Sequence, residues 1–413
     1  MSVSDARTPG RHTVLALAAV ILFIDGYDLF TLGTVGPTLL QQHIWDATPA
    51  TLGMLGSATA LGMPVGSMLA GWAGDRYGRR LPLTLFLALI SAAMLLAAVA
   101  PNLGVFAVAR ALTGVGVGAL APLVSALVAD NAPPKRRTLH ITAALAAIGV
   151  GGAASSLLGR LLLPEMPFQS VFAVGALPLL LLPIVWRLLS HASGAVEVGH
   201  VERARLLELF SSGRRRATVV LWLAAFMSFV LIYSTSTWLP SVMMRSGYDL
   251  SSALEFSIAF TFGGAIGTTS LSLLGDRGHL RAITLGGFLV GAAALLMLST
   301  QQPRPLILLL SALAGVGSLG TQGLVIACKA HHYPPALRAT GMGFGLGVGR
   351  IGAIVGPSYL AAVTVLVASP KAGFYAFMIP AVLGALAIAL LPRERTVEHS
   401  QRVSMPEPRP EVL

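Results

Sequence analysis

Two aspartates, Asp25 and Asp28, stand three residues apart in "FIDGYDLFTLG" (residues 23–33), and the stretch between Arg11 and Asp46 holds no other Asp, Glu, Lys or Arg. A carboxylate in apolar surroundings is costly, so a pair of them calls for a chemical reason. On a helix, a three-residue spacing puts both on roughly one face. Two carboxylates sharing an apolar site resist being ionised together, which suits the pair to take and release a proton as water access changes. The structural alternative is that each aspartate pairs with an arginine and locks a helix bundle. Two arginines lie in similarly apolar runs: Arg110 in "AVARALTGVG" and Arg350 in "GLGVGRIGAIVGP". Their planar forks suit carboxylates, whether those of Asp25 and Asp28 or that of an anionic substrate. Tyr27, Phe30, Phe229, Tyr233 and Phe344 are the aromatic residues expected to share such a cavity, as a stacking wall for a planar substrate.

The elements that must position these groups are legible from composition. Of 413 residues, 55% are hydrophobic and only 11% charged, with 45 glycines. A soluble chain of this length carries more charge. Many apolar stretches reach the roughly 20 residues that a helix needs to cross hydrocarbon. The expected class is an all-α polytopic membrane protein with spans near 13–37, 51–73, 81–100, 104–129, 139–163, 168–188, 217–242, 253–274, 281–299, 305–328, 339–367 and 373–391. The first run is too long for a cleavable signal. The end, 392–413, rich in Pro, Glu and Arg, reads as a disordered tail.

Charge placement gives orientation. With the N-terminus inside, the inner segments hold 22 of the 28 basic residues, whereas the outer loops keep only Arg160, Arg245, Arg304 and Lys371. This asymmetry follows the positive-inside rule and puts both termini in the cytoplasm. The net charge of +11 is therefore topology and not a nucleic-acid footprint. One cysteine, Cys328, excludes an internal disulfide, and no Cys or His cluster has metal-ligand spacing. The glycine runs "TGVGVGALAP" and "GMGFGLGVGRIGAIVG" lie inside spans, so they read as close helix contacts and not as dinucleotide loops.

An internal repeat divides the chain. "GDR" recurs at 74–76 and 275–277, "ALTGVG" at 111–116 matches "ALAGVG" at 312–317, and "PPKRR" at 133–137 matches "PPALR" at 334–338, each displaced by 201 positions. The expected organisation is a six-helix half over 1–188, a linker over 189–216, a second half over 217–391 and the tail over 392–413. Parallel six-helix repeats hold substrate near the midplane between halves that rock to alternate access. The four intramembrane charges break the repeat, because their counterparts are Phe226, Phe229, Ser311 and Gly149.

"GWAGDRYGRR" (71–80), between the second and third spans, resembles the conserved loop of the major facilitator superfamily, with Ala73 in place of the usual Leu. The resemblance implies a cytoplasmic gate: Asp75 braces the eleventh helix and Arg79 meets Asp130 at the end of the fourth, with Arg76 and Arg338 in the same latch. "DGYDLFTLGTVGP", "STSTWLPSVM" and "LRATGMGFGLGVGRIGAIVGP" together resemble the aromatic acid:proton symporter branch. That resemblance implies essential acids at Asp25 and Asp28, and arginines at Arg110, Arg338 and Arg350. It also implies proton-driven uptake of a benzoate-type acid through a bacterial inner membrane, by a monomer needing no cofactor. Antiport efflux of a small organic anion is the competing expectation. A membrane enzyme would need a nucleophile–base pair, metal ligands or a phosphate loop among the spans, and none stands there; a sensor would need a signalling domain larger than 189–216.

Overall fold

A computed structural model describes residues 11–132, 137–189, 206–211, 214–367 and 369–392. Most of the expected linker and nearly all of the tail lie outside the described residues, as do the side chains of Asp75 and Arg338.

Every regular element among the described residues is helical, and twelve helices are long and apolar enough to cross a membrane. They are α1 (Arg11–Gln41), α2 (Pro49–Tyr77), α3 (Arg80–Ala98), α4 (Leu103–Asn131), α5 (Arg137–Leu162), α6 (Gln169–Leu189), α7 (Arg215–Arg245), α8 (Leu250–Leu274), α9 (Leu280–Leu298), α10 (Arg304–His332), α11 (Pro335–Leu366) and α12 (Ala372–Ala389). All twelve expected spans are present. The helices α1, α2, α7 and α10 run three or four residues past the expected ends, because helical hydrogen bonding continues beyond the apolar stretch. Starts are set by local chemistry. Thr48 and Thr51 form a reciprocal cap on α2, and Asn102 Oδ1 accepts from Val105 N–H at 3.0 Å on α4. Asp249 caps α8, and the hydroxyl and N–H of Ser252 hold its carboxyl below the ordinary range.

Two glycine rows bring helices together. A Cβ at Gly114 or Gly118 of α4 would overlap the backbone of Thr59 or Met63 on α2. Along α11, side chains of neighbouring helices fill the glycines: the ring of Tyr333 over Gly341, Lys329 and Trp222 over Gly345, and the ring of Phe229 over Gly349.

The halves meet along a seam that is closed at one face and open at the other. The face where α1 begins and α2 ends is called here the terminal face. At the opposite face, Ser57 of α2 donates to the Ile354 carbonyl of α11 at 2.6 Å. Ser156 of α5 bonds Ser257 of α8 at 3.1 Å, and Arg160 Nε donates to Ser251 at 2.9 Å. Glu255 of α8 takes Arg160 of α5 at 3.8 Å and also pairs with Arg304 of α10. The α5–α8 contact persists down to Gly149 against Thr261 and Ala265. One turn further, at Leu145 and Thr268, a cavity of about 690 Å³ opens toward the terminal face, lined also by α10. Toward the same end of α11, no described atom lies within 4 Å of a Cβ placed on Gly343 or Gly347.

Candidate functional site

The structure sorts the four intramembrane charges into two pairs. The positive charge acting on Asp25 is that of Arg350, across the seam; the one acting on Asp28 is that of Arg110, within its own half, and the Asp25 carboxyl also acts on Asp28. The two aspartates are three positions apart, about 60° round the helix, enough to aim one at α11 and the other at α4. Neither pair closes into a direct ion pair among the described residues.

The Asp28–Arg110 pair is sealed in the core of the first half. Arg110 is 1% exposed, its Nη2 donates to the Asp28 carbonyl at 3.4 Å, and its Cζ stands 6.0 Å from the Phe172 ring of α6. Among the described residues, nothing hydrogen-bonds either Asp28 carboxylate oxygen or Arg110 Nε. The expectation that Arg110 meets substrate therefore does not match its position, because α1, α3 and α6 enclose it. Tyr27 and Phe30 are displaced for the same reason. The Tyr27 hydroxyl donates to the Val171 carbonyl of α6 at 2.7 Å, and the Phe30 ring packs over Gly152 of α5.

The Asp25–Arg350 pair lies at the seam with two of the expected aromatics. Phe229 and Tyr233, one turn apart on α7, stack at 5.9 Å with an interplanar angle of 5°. Arg350 Cζ stands 5.7 Å from the Phe229 ring. Its Nη1 points at Met63 Sδ of α2, 2.8 Å away, and the Tyr233 hydroxyl donates to the same sulfur at 3.2 Å. A thioether is a weak acceptor. Among the described residues, Arg350 Nε and Asp25 Oδ1 have no hydrogen-bond partner. The Tyr233 hydroxyl also meets the guanidinium, which is thus oriented by α2 and α7, with its Nε left over and an apolar ring beside it. Phe344 does not join this group: it sits six residues before Arg350, roughly 9 Å along the helix axis, parallel to Trp222 at 6.4 Å.

This geometry, a two-half helical bundle with an unfilled arginine at the seam, agrees with comparison to known proteins. The family model of the Major Facilitator Superfamily matches residues 18–357 and 257–412. The chain belongs to that superfamily. It is 30% identical to the benzoate transport protein of Acinetobacter baylyi, over 98% of this chain and 93% of that one. It is 33% identical to the gentisate transporter of Corynebacterium glutamicum, covering 94% and 90%. It is 31% identical to the 3-(3-hydroxy-phenyl)propionate transporter of Escherichia coli, covering 95% and 98%. The resemblance to the aromatic acid branch is borne out by these relatives, which places the chain among transporters and not enzymes. Among solved structures, a D-xylose-proton symporter matches with a TM-score of 0.71 at 18% identity, covering 92% of this chain and 97% of that one. A bacterial homologue of the lysosomal transporter Spinster, inward-facing and occupied, matches at 0.72 and 16%, covering 94% and 97%. Both speak for the fold.

The superfamily loop is only partly displayed. Arg79 Nε lies 3.7 Å from Asp130 Oδ2, the pairing that the loop resemblance implies. Arg76 instead lies over Trp72 and Tyr77 of its own half, 6.0 and 5.7 Å from their ring centroids. The roles expected of Asp75 and Arg338 fall on side chains outside the description. Sequence reading missed the Glu255 cluster at the opposite face; oppositely charged residues near matching ends of α5 and α8 were the available signal.

Proposed function

We propose that this chain takes up an aromatic carboxylate together with a proton, by alternating access. The terminal face is the cytoplasmic one, both termini lie inside, and the membrane is the bacterial inner membrane. The basic residues of the terminal-face segments support that orientation.

The observation that carries the reading is the state of Arg350. It touches the Met63 thioether and the Tyr233 hydroxyl, and keeps an unpartnered Nε and the Phe229 ring beside it. A benzoate-type acid offers two carboxylate oxygens for that fork and a flat ring for the Phe229–Tyr233 pair. Relatives named for benzoate, gentisate and hydroxyphenylpropionate have in common an aromatic ring and a carboxylate.

Asp25 is the proton carrier next to that fork. Ionised, it competes with the substrate carboxylate for Arg350; protonated, it leaves the fork to the substrate. This exclusion couples the proton to the anion without any covalent step. Asp28 with Arg110 holds α1 against α4, so that Asp25 is presented to the seam. Binding loosens the seam at one face and closes it at the other, with Arg79–Asp130 bracing the cytoplasmic loop.

Equilibrium binding to purified protein tests the recognition. Benzoate, 4-hydroxybenzoate and gentisate are expected to bind, and benzamide to bind far more weakly. Equal affinity for benzoate and benzamide contradicts a role for the carboxylate.

A further inference from the structure

Gln322 of α10 is a polar side chain inside a span that the transport cycle above does not use. Its counterpart at the 201-residue offset is Ala121, so the amide is no part of the repeated scaffold. The turn before it also departs from the repeat. Val316–Gly320 is π-helical, whereas the matching stretch of α4 lies in an uninterrupted α-helix. The extra residue in a π turn rotates everything after it by about 100°, the advance of one residue. Such turns are rare and concentrate at functional sites. Here the rotation sets the face on which Gln322 stands.

Two observations define that face. Ser228 of α7 donates its hydroxyl to Gln322 Oε1 at 2.5 Å, and the next residue of α7 is Phe229, the ring beside Arg350. On the other side, Gly323 and Ile326 of α10 line the cavity of about 690 Å³ that opens toward the terminal face. Gln322 is the next residue inward from that lining. Arg350 follows the terminal-face end of α11 by fifteen residues, and Gln322 precedes that of α10 by ten. The amide therefore lies roughly 7 Å nearer the terminal face than Arg350. A benzene ring with polar groups at opposite ends bridges a gap of that size.

A glutamine amide accepts through its oxygen and donates twice through its nitrogen. Packing α10 against α7 uses the oxygen alone. Gln322 Nε2 has no hydrogen-bond partner among the described residues, and the side chain is only part-buried. With Oε1 engaged by Ser228, the nitrogen is held as a donor.

We infer that Gln322 is a specificity-determining residue, whose amide N–H groups receive a hydroxyl oxygen on the substrate ring at the edge remote from the carboxylate. The inference rests on the proposed recognition of aromatic carboxylates at Arg350, and deepens it by favouring ring-hydroxylated acids over unsubstituted ones. Ser228 is a positioning residue that fixes which end of the amide faces the ring.

The test is equilibrium binding of benzoate, 4-hydroxybenzoate and 4-methylbenzoate to purified full-length protein, for wild type, Gln322→Met and Ser228→Ala. Wild type is expected to bind 4-hydroxybenzoate about fivefold more tightly than the other two, the worth of one neutral hydrogen bond. Gln322→Met should weaken 4-hydroxybenzoate by about the same factor and leave benzoate within twofold of wild type. Ser228→Ala should narrow the preference in the same direction. Equal weakening of all three acids by Gln322→Met would make Gln322 a packing residue and overturn the inference, as would a preference that survives this substitution. The wild-type protein alone also decides: if 4-methylbenzoate binds as tightly as 4-hydroxybenzoate, no hydrogen bond reads the substituent. Failure of wild type to bind any of the three acids would overturn recognition at Arg350 itself, an outcome distinct from a missing preference among acids that bind.

Discussion

Arg350 on α11 reaches across the seam to Met63 on α2, with Nη1 2.8 Å from the sulfur. A thioether is a weak acceptor, so this contact and the Tyr233 hydroxyl hold the arginine in place while its Nε stays unpartnered. Asp25 of α1 is the acid on which the Arg350 charge acts. Substrate binding and seam closure therefore meet at one side chain.

Arg350→Ala should weaken benzoate binding roughly thirtyfold, about 2 kcal/mol for a lost charge-assisted hydrogen bond, and benzamide binding much less. Titration calorimetry with both ligands checks this. Equal losses would make Arg350 a structural residue.

The two aspartates should separate by phenotype. Both Asp25→Asn and Asp28→Asn are expected to abolish gradient-driven accumulation. Asp28→Asn also strips the buried Arg110 of its counter-charge, at a cost of about 3 kcal/mol. A melting temperature lowered well below that of Asp25→Asn is the expected reading by thermal denaturation.

The opposite face can be locked. Ser156 and Ser257 hydroxyls lie 3.1 Å apart across the halves, and Cys328 is the one native cysteine. Ser156→Cys combined with Ser257→Cys should form a disulfide that stops uptake, with activity returning on reduction. Transport that continues in the oxidised protein would show that this seam does not open.

Glycines in the two rows should differ from those facing open space. Gly114→Val forces a side chain into the Thr59 carbonyl and is expected to destabilise the protein by about 1–3 kcal/mol. Gly343→Ala meets nothing within 4 Å and should be neutral or slightly stabilising in melting experiments.

The twelve spans were legible because apolar length alone identifies a crossing helix. The glycine runs were legible as packing surfaces, since no strand precedes them. The pairing of charges was not legible. Asp25 and Asp28 look equivalent in sequence, and only the rotation of α1 against α4 and α11 assigns one to each arginine. Tyr27 and Phe30 were drawn into the cavity by proximity to the acids, yet their side chains point at α6 and α5. Lys329 is one of the 22 inner-segment basic residues by sequence, yet its side chain is buried against Gly345 of α11. Gln322, two helical turns earlier and bonded to Ser228 of α7, marks the face that turns it inward.

The central claim is that an inward proton gradient drives an aromatic carboxylate through the seam at Arg350. The most direct measurement is uptake of radiolabelled benzoate into proteoliposomes under an imposed inward proton gradient. Accumulation above the external concentration, collapsed by a protonophore and absent in Asp25→Asn, is the predicted result. Extrusion of preloaded benzoate under the same gradient, or accumulation indifferent to it, would contradict the account.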